Sequence, residues 1–242
     1  MQIRQTAPLA FVVAAALLAA CSDKSSTPPP QAGAPQQPAA NPQAAKSLAM
    51  YRELLKSSSY ELAGPIGQEI VANYPGTPEA NEVNQTLADT VAKGTAIAGR
   101  RRLEKLWIYQ TGTESGGEQS TASIYASQPA TPDRVRLILR RHSQWGESVY
   151  LFGSGKGFDC GKACTIPTRF DDDPPQKLKA YSPATGEPAV FITDDHAFIA
   201  KMAKAQKVSF DVGIKGKGPA TLVFETGGYD AAKFAPLAKP KK

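Results

Sequence analysis

The segment from Gly155 to Asp173, GKGFDCGKACTIPTRFDDD, places two cysteines, two Gly-Lys pairs and three successive aspartates close together. Such residues could bind a metal, cradle a phosphate, exchange electrons or hold a loop in shape. A phosphate loop needs G-x-x-x-x-G-K followed by Ser or Thr. Lys156 is followed by Gly157 and Lys162 by Ala163, so that chemistry is excluded. Calcium takes six to eight oxygens, usually from alternate positions around a glycine turn. Asp171, Asp172 and Asp173 are consecutive and lead into Pro174-Pro175, which describes a solvated acidic turn. Structural zinc takes four ligands. Only His142 and His196 could complete a set with Cys160 and Cys164, and neither has ligand spacing to them. No metal site and no cofactor is expected. A redox pair would be C-x-x-C ahead of a helix, whereas this is C-x-x-x-C ahead of a predicted strand.

Asp194-Asp195-His196 is the other cluster with catalytic residue types. It opens a predicted helix, where acidic side chains are favoured by the N-terminal dipole. No G-x-S-x-G nucleophile accompanies it. Capping is the expected role, and no catalytic residue is assigned.

The N-terminus bears on the remaining cysteine. Residues 1–20 read MQIRQTAPLAFVVAAALLAA: a cation at Arg4, then an apolar run from Ala7 to Ala20. That run is shorter than the roughly 20 residues a bilayer span needs, and it fits the core of a secretory signal. Its end, Leu18-Ala19-Ala20-Cys21, resembles the lipobox of bacterial lipoproteins. The resemblance implies cleavage before Cys21 and lipidation of that residue. Ser22, in place of Asp, implies sorting to the outer membrane. A multiply acylated cysteine would anchor the chain without a transmembrane helix. With Cys21 assigned to lipid, Cys160 and Cys164 form an even pair in an oxidising compartment. A three-residue gap containing Gly161 permits the Cα separation a disulfide needs, so a structural bridge is expected.

The elements that must position these residues follow in order. Residues 21–45 are Ser, Pro, Gln and Ala with almost no large apolar side chain, which describes an extended tether. Residues 46–102 read as helices, with Leu48, Tyr51, Leu54 and Leu55 at helical spacing. Tyr60 to Val71 form a second helix, with Pro65 near its first turns. Thr77 is the expected N-cap and Pro78 the first residue of a third helix, continued by Val83, Leu87, Thr90 and Val91. Tyr51 with Leu54-Leu55, Tyr60-Glu61-Leu62-Ala63, and Tyr74-Pro75 before Glu79-Ala80 make this block similar to a tetratricopeptide helical hairpin. The repeat fits only about one and a half times, which implies a short hairpin packed on something else.

Residues 103–234 read as eight or nine short strands separated by Gly, Pro and Ser, with one helix at 195–206. The expectation is an α+β chain, its β part an antiparallel sandwich or small barrel. Residues 235–242 form a basic tail. Val135-Arg136-Leu137, Phe158 with Cys160 and Cys164, Arg169-Phe170-Asp171, Phe191-Ile192, Phe198-Ile199, Ala205, Val208, and Phe224 before Gly227-Gly228 make this part similar to accessory proteins of bacterial periplasmic and type VI secretion systems. That likeness touches core and turn positions, and it implies a fold.

The chain carries a net charge of +6. Arg134, Arg136, Arg140 and His142 share one parity on a predicted strand, so they point to one face. Val135, Leu137 and Leu139 point to the other, and His142 is expected at an exposed strand edge. Phosphates of lipid A, carboxylates of peptidoglycan and acidic protein surfaces are the anionic partners an envelope offers such a face. A solvated polar face is the alternative, and nucleic acid is not expected as a partner. The sequence therefore points to a lipid-anchored, periplasm-facing outer-membrane protein that binds an envelope protein or anionic component as a scaffold or accessory module. Inhibition of an attacking enzyme is a second reading. A cell-wall or lipid hydrolase using Asp195 or His196 is a third.

Overall fold

The computed structural model describes residues 41–130, 134–234 and 236–237. The expected signal, Cys21, most of the tether and most of the basic tail lie outside the described residues. Among the described residues, four helices precede a β part: α1 (Pro42–Lys56), α2 (Tyr60–Asn73), α3 (Pro78–Asn84) and α4 (Leu87–Glu104). Nine strands follow: β1 (Ile108–Glu114), β2 (Gly117–Tyr125), β3 (Arg136–His142), β4 (Gly146–Phe152), β5 (Cys164–Phe170), β6 (Gln176–Tyr181), β7 (Ala189–Ile192), β8 (Val208–Ile214) and β9 (Gly218–Phe224). A fifth helix, α5 (Asp195–Met202), lies between β7 and β8. None of the described helices is long and apolar enough to cross a membrane.

α1 begins at Pro42, four residues before the expected helical boundary. The Asn41 side chain accepts from the backbone N–H groups of Gln43 and Ala44, and Pro42 occupies a position where its missing donor is harmless. Ala44, Leu48 and Tyr51 form its buried stripe. As expected, Thr77 caps α3 through its hydroxyl, with Pro78 next. The single third helix expected from Pro78 onward is instead two. Gln85 N–H and Thr86 N–H turn back to Glu82 and Val83, i→i−3 bonds that tighten and end α3. The buried Tyr51 hydroxyl pairs with the Thr86 and Thr90 hydroxyls across this break, at 2.9 and 3.0 Å. Leu48, Tyr51, Ala63, Ile70, Ala80 and Val83 make a small core of their own.

The β part is one continuous antiparallel sheet, in the order β1-β2-β3-β4-β7-β6-β5-β8-β9. It curls as a half-barrel instead of dividing into the two layers of a sandwich. Gln128, just after β2, bridges to Val223 of the last strand, bringing the two ends towards each other. Alternate residues of the interior and last strands enter the enclosed face: Leu137 and Leu139, Val149 and Leu151, Val190 and Ile192, Phe210 and Val212, Leu222 and Phe224. α5 closes that face with Phe198 and Met202. Asp194 caps α5 by accepting from Ala197 N–H. Each large side chain buried here contributes about 1.5–3 kcal/mol, and the alternation fixes the register, since a one-residue slip would turn the set outward.

α4 continues to Glu104, past the expected start of the β part, and β1 starts at Ile108. Its last turn carries Arg101 and Arg102, cations at the end the helix dipole favours. Both are anchored, Arg101 on Glu61 of α2 and Arg102 on Glu225 just after β9.

Candidate binding face

β3 is an interior strand, third in the sheet, with β2 and β4 on either side. Its core parity carries Leu137, Leu139 and Arg141. Its outer parity carries Arg136, Ile138, Arg140 and His142, as the alternation predicted. The registers extend that outer parity sideways. Ile108, Ser123, Ile138, Tyr150, Phe191 and Tyr181 are aligned partners on β1, β2, β3, β4, β7 and β6. Beside this row lies another, Tyr125, Arg136 and Phe152. On its other side lies a third, Gln110, Thr121, Arg140 and Ser148. Arg134, exposed just before β3, stands beyond the second row.

The arginines lie over rings. The Arg134 and Arg136 guanidiniums are 5.0 and 5.7 Å from the Tyr125 centroid, and Arg136 is 5.8 Å from that of Phe152. Arg140 sits 5.1 Å from Trp145 and 5.4 Å from Tyr150. The rings also stack on one another, Tyr150 on Phe191 at 4.7 Å and Phe191 on Tyr181 at 5.5 Å. Burial pushes the Tyr150 hydroxyl above its ordinary value, so it stays protonated in this setting. Arg140 Nε donates to the Ser148 hydroxyl at 3.2 Å. Among the described residues no carboxylate lies within ion-pair distance of Arg134, Arg136 or Arg140. A groove of about 320 Å³ runs beside Arg136 and Tyr150, floored by Gln119, Thr121 and Ser123.

His142 corrects the expectation of an exposed edge residue. It is 3% exposed. Its Nδ1 accepts from the backbone N–H groups of Gln144 and Trp145, so the ring proton sits on Nε2 and is donated to the Glu114 carbonyl at 3.0 Å. The ring stacks on Trp145 at 3.8 Å. His142 thus organises the β3–β4 turn and holds Trp145 under Arg140, and its own donors are used internally. The sequence missed it because an interior position for β3 depends on long-range pairing.

The remaining candidates fall elsewhere. Cys160 and Cys164 are joined, with Cα atoms 5.5 Å apart. The loop they close is small, which limits its entropic contribution to about 2 kcal/mol. Phe158 is buried in the core and bridges Ile214 of β8, so the Gly-Lys stretch is a crossover held against the sheet. The three aspartates diverge. Asp171 accepts from the backbone N–H groups of Gln206 and Lys207, while Asp172 pairs with Lys207 and Asp173 with Lys201. Hydrogen bonding to Lys207 holds the Asp172 carboxyl below its ordinary value. His196 pairs through Nδ1 with Glu147 Oε1 at 2.7 Å, and Asp195 accepts from His196 N–H. Among the described residues no three His, Cys, Asp or Glu side chains gather into a metal-holding group.

Of the sequence-derived candidates, the fold therefore brings Arg134, Arg136 and Arg140 together with aromatic rings contributed by β2, the β3–β4 turn, β4, β6 and β7. No family model, no curated protein and no solved structure matches this chain.

Proposed function

We propose that the chain is a lipid-anchored protein of the outer membrane, periplasm-facing, and that it works there without catalysis as a binding or accessory module. The observation that carries the binding role is the face just described: three guanidiniums with no carboxylate partner among the described residues, set among exposed rings. Large apolar side chains exposed together mark interaction surfaces more often than chance scatter does. The Leu18-Ala19-Ala20-Cys21 sequence supports the anchor, and a bonded Cys160–Cys164 pair fits an oxidising compartment. Asp195 and His196 serve α5 and its contact with Glu147, which supports the non-enzymatic reading.

Expression of the full chain with a fatty-acid label tests the anchor. The expected result is label on the wild-type protein, no label on Cys21→Ala, and loss of that variant from the outer-membrane fraction. Unchanged fractionation and labelling of Cys21→Ala would refute the lipid anchor and leave the binding face to be judged on its own.

A further inference from the structure

The described residues include seven exposed large apolar side chains: Met50, Leu62, Ile97, Ile108, Tyr125, Trp145 and Tyr181. The last four all lie on the outer face of the sheet or, for Trp145, in the turn at its margin. They are not scattered; Ile108 and Tyr181 are the two ends of one aligned row, and Tyr125 and Trp145 flank it. That row crosses six strands, about 24 Å at the usual strand spacing. Arg136 and Arg140 stand on its two sides, four residues apart on β3, about 13 Å. Two acidic groups lie near the face: Glu114, at the far end of β1, lines the groove together with Arg136 and Tyr150, and Glu187 lies in the β6–β7 connection.

The way the rings are used selects among anions. A nucleobase docks by stacking on a free ring face, and a sugar ring likewise needs an open aromatic face. Here each ring already carries a partner. Tyr150 and Tyr181 stack on Phe191, Trp145 lies on His142, and guanidiniums lie over Tyr125, Phe152 and Trp145. The N–H donors of those guanidiniums have no carboxylate partner among the described residues. A guanidinium lying flat on a ring keeps its fork of donors free for a carboxylate, which it binds bidentately. The composition, rich in Tyr, Trp, Phe and Arg, is that of a protein-recognition hot spot.

We propose that this face binds an acidic polypeptide segment. Its carboxylates pair with Arg136 and Arg140, and its aliphatic side chains lie along the row between its exposed ends, Ile108 and Tyr181, passing over Ile138, which is 6% exposed. About seven extended residues cover the length of that row. The proposal rests on the binding role above and is independent of the anchor, because it concerns the folded part alone.

The chain supplies its own reporter. It has two tryptophans. Trp107 is buried in the core, and Trp145 is 49% exposed at the face. The full chain in detergent is titrated with a synthetic peptide of about ten alternating Leu and Asp residues, long enough to span the row. The expected result is a saturable change in Trp145 emission, absent in Trp145→Phe. Affinity should fall at least about tenfold when Arg136→Gln and Arg140→Gln are combined, the size expected for losing charge-assisted hydrogen bonds. It should also weaken as salt rises from about 50 to 300 mM. A Leu/Asn peptide should not bind. Should Arg136→Gln with Arg140→Gln fail to fold, Arg136→Lys with Arg140→Lys keeps the charge, loses the fork and should bind with intermediate affinity. No saturable change up to about 1 mM Leu/Asp peptide, the weak limit of recognition, would overturn the proposal, as would affinity indifferent to the arginine substitutions. Binding of polygalacturonate, an oligo-dT strand or phosphatidylglycerol vesicles in place of the peptide would assign the face to a glycan, a nucleic acid or a lipid headgroup and reject the polypeptide reading. None of these outcomes depends on Cys21, so a failed peptide titration and a failed lipidation test are distinct.

Discussion

Glu147 on β4 receives two cations. Arg141 Nε donates to its Oε2 at 2.8 Å and His196 of α5 approaches its Oε1 at 2.7 Å. Burial pushes the Glu147 carboxyl up, but hydrogen bonds from His196 and Arg141 outweigh it and hold the group below its ordinary value of 4.5. His196 is raised above 6.5, first by its hydrogen bond to Glu147, then by the charge attraction. The two shifts act at opposite ends of the pH scale. The raised imidazole adds stability that is complete below 6.5 and disappears as pH climbs through its folded value. The depressed carboxyl adds stability that is complete above 4.5 and disappears as pH drops through its folded value. Between these limits the tie from α5 to β4 is fully made. Asp195, Arg141 and Glu147 are the charged groups around the imidazole, so His196→Ala removes the upper limb and, with the hydrogen bond to Glu147 gone, reduces the lower one. Urea midpoints measured across pH should differ most between wild type and His196→Ala between pH 4.5 and 6.5 and draw together as pH climbs through the folded value of His196. The difference will be small, since the His196 side chain is 91% exposed. Curves that stay parallel at every pH would show that the pair does not titrate as a unit.

Among the elements, α2 and α4 pack where glycines remove side chains from the contact. A Cβ on Gly94 would lie 2.9 Å from the Tyr60 carbonyl oxygen and 3.2 Å from the Glu61 Cα, both backbone atoms that cannot rotate away. Gly94→Ala should therefore force α4 off the start of α2 at a cost of about 1–3 kcal/mol, set by overpacking and only slightly offset by alanine's better helix propensity. Gly99→Ala, with nothing within 4 Å, should be neutral or stabilising. Chemical denaturation of the two variants side by side separates packing from propensity. Most of this element structure was legible in the sequence, because it depends on local pattern. Thr77 and Pro78 read correctly as a cap and first turn, and period-two runs such as Val208, Phe210 and Val212 located strands whose inner residues reach the core. The same alternation correctly put Arg136 and Arg140 on one outer face. Long-range pairing was not legible. The break at Gln85–Thr86 depends on Tyr51 reaching back from α1. The buried state of His142 depends on β1 and β2 lying outside β3. The aromatic row needs a β4–β7 and a β7–β6 pairing that skips β5, a topology no local period encodes.

At the scale of the whole molecule two cores meet at one joint. The helices bury Leu48, Tyr51, Ile70 and Val83, and the sheet buries a separate, larger set. Between them the C-terminal turn of α4 lies on the short 3₁₀ turn Thr226–Gly228 that follows β9. Arg102 grips Glu225 with two hydrogen bonds, at 2.6 and 3.0 Å. Trp107 Nε1–H points to the Thr226 carbonyl at 3.4 Å, and the Thr226 hydroxyl donates to the Ala205 carbonyl at 3.0 Å. Gly228 permits the closest approach: a Cβ there would overlap the peptide joining Leu103 to Glu104. Both colliding groups are main chain, so relief requires moving α4 as a whole. Substitution by a β-branched residue should accordingly separate the layers. In Gly228→Val made in a Trp145→Phe background, thermal unfolding followed by helix ellipticity should precede that followed by Trp107 fluorescence, whereas in the Trp145→Phe parent the two traces coincide. The helical core is small and should melt first once it loses its support, as expected of a unit near the lower size limit for independent folding. Breaking only the exposed ion pair with Arg102→Gln should leave the traces coincident, because an exposed pair contributes little to cohesion compared with close packing. A single coincident transition in Gly228→Val would instead place the cohesion of the two layers outside this joint.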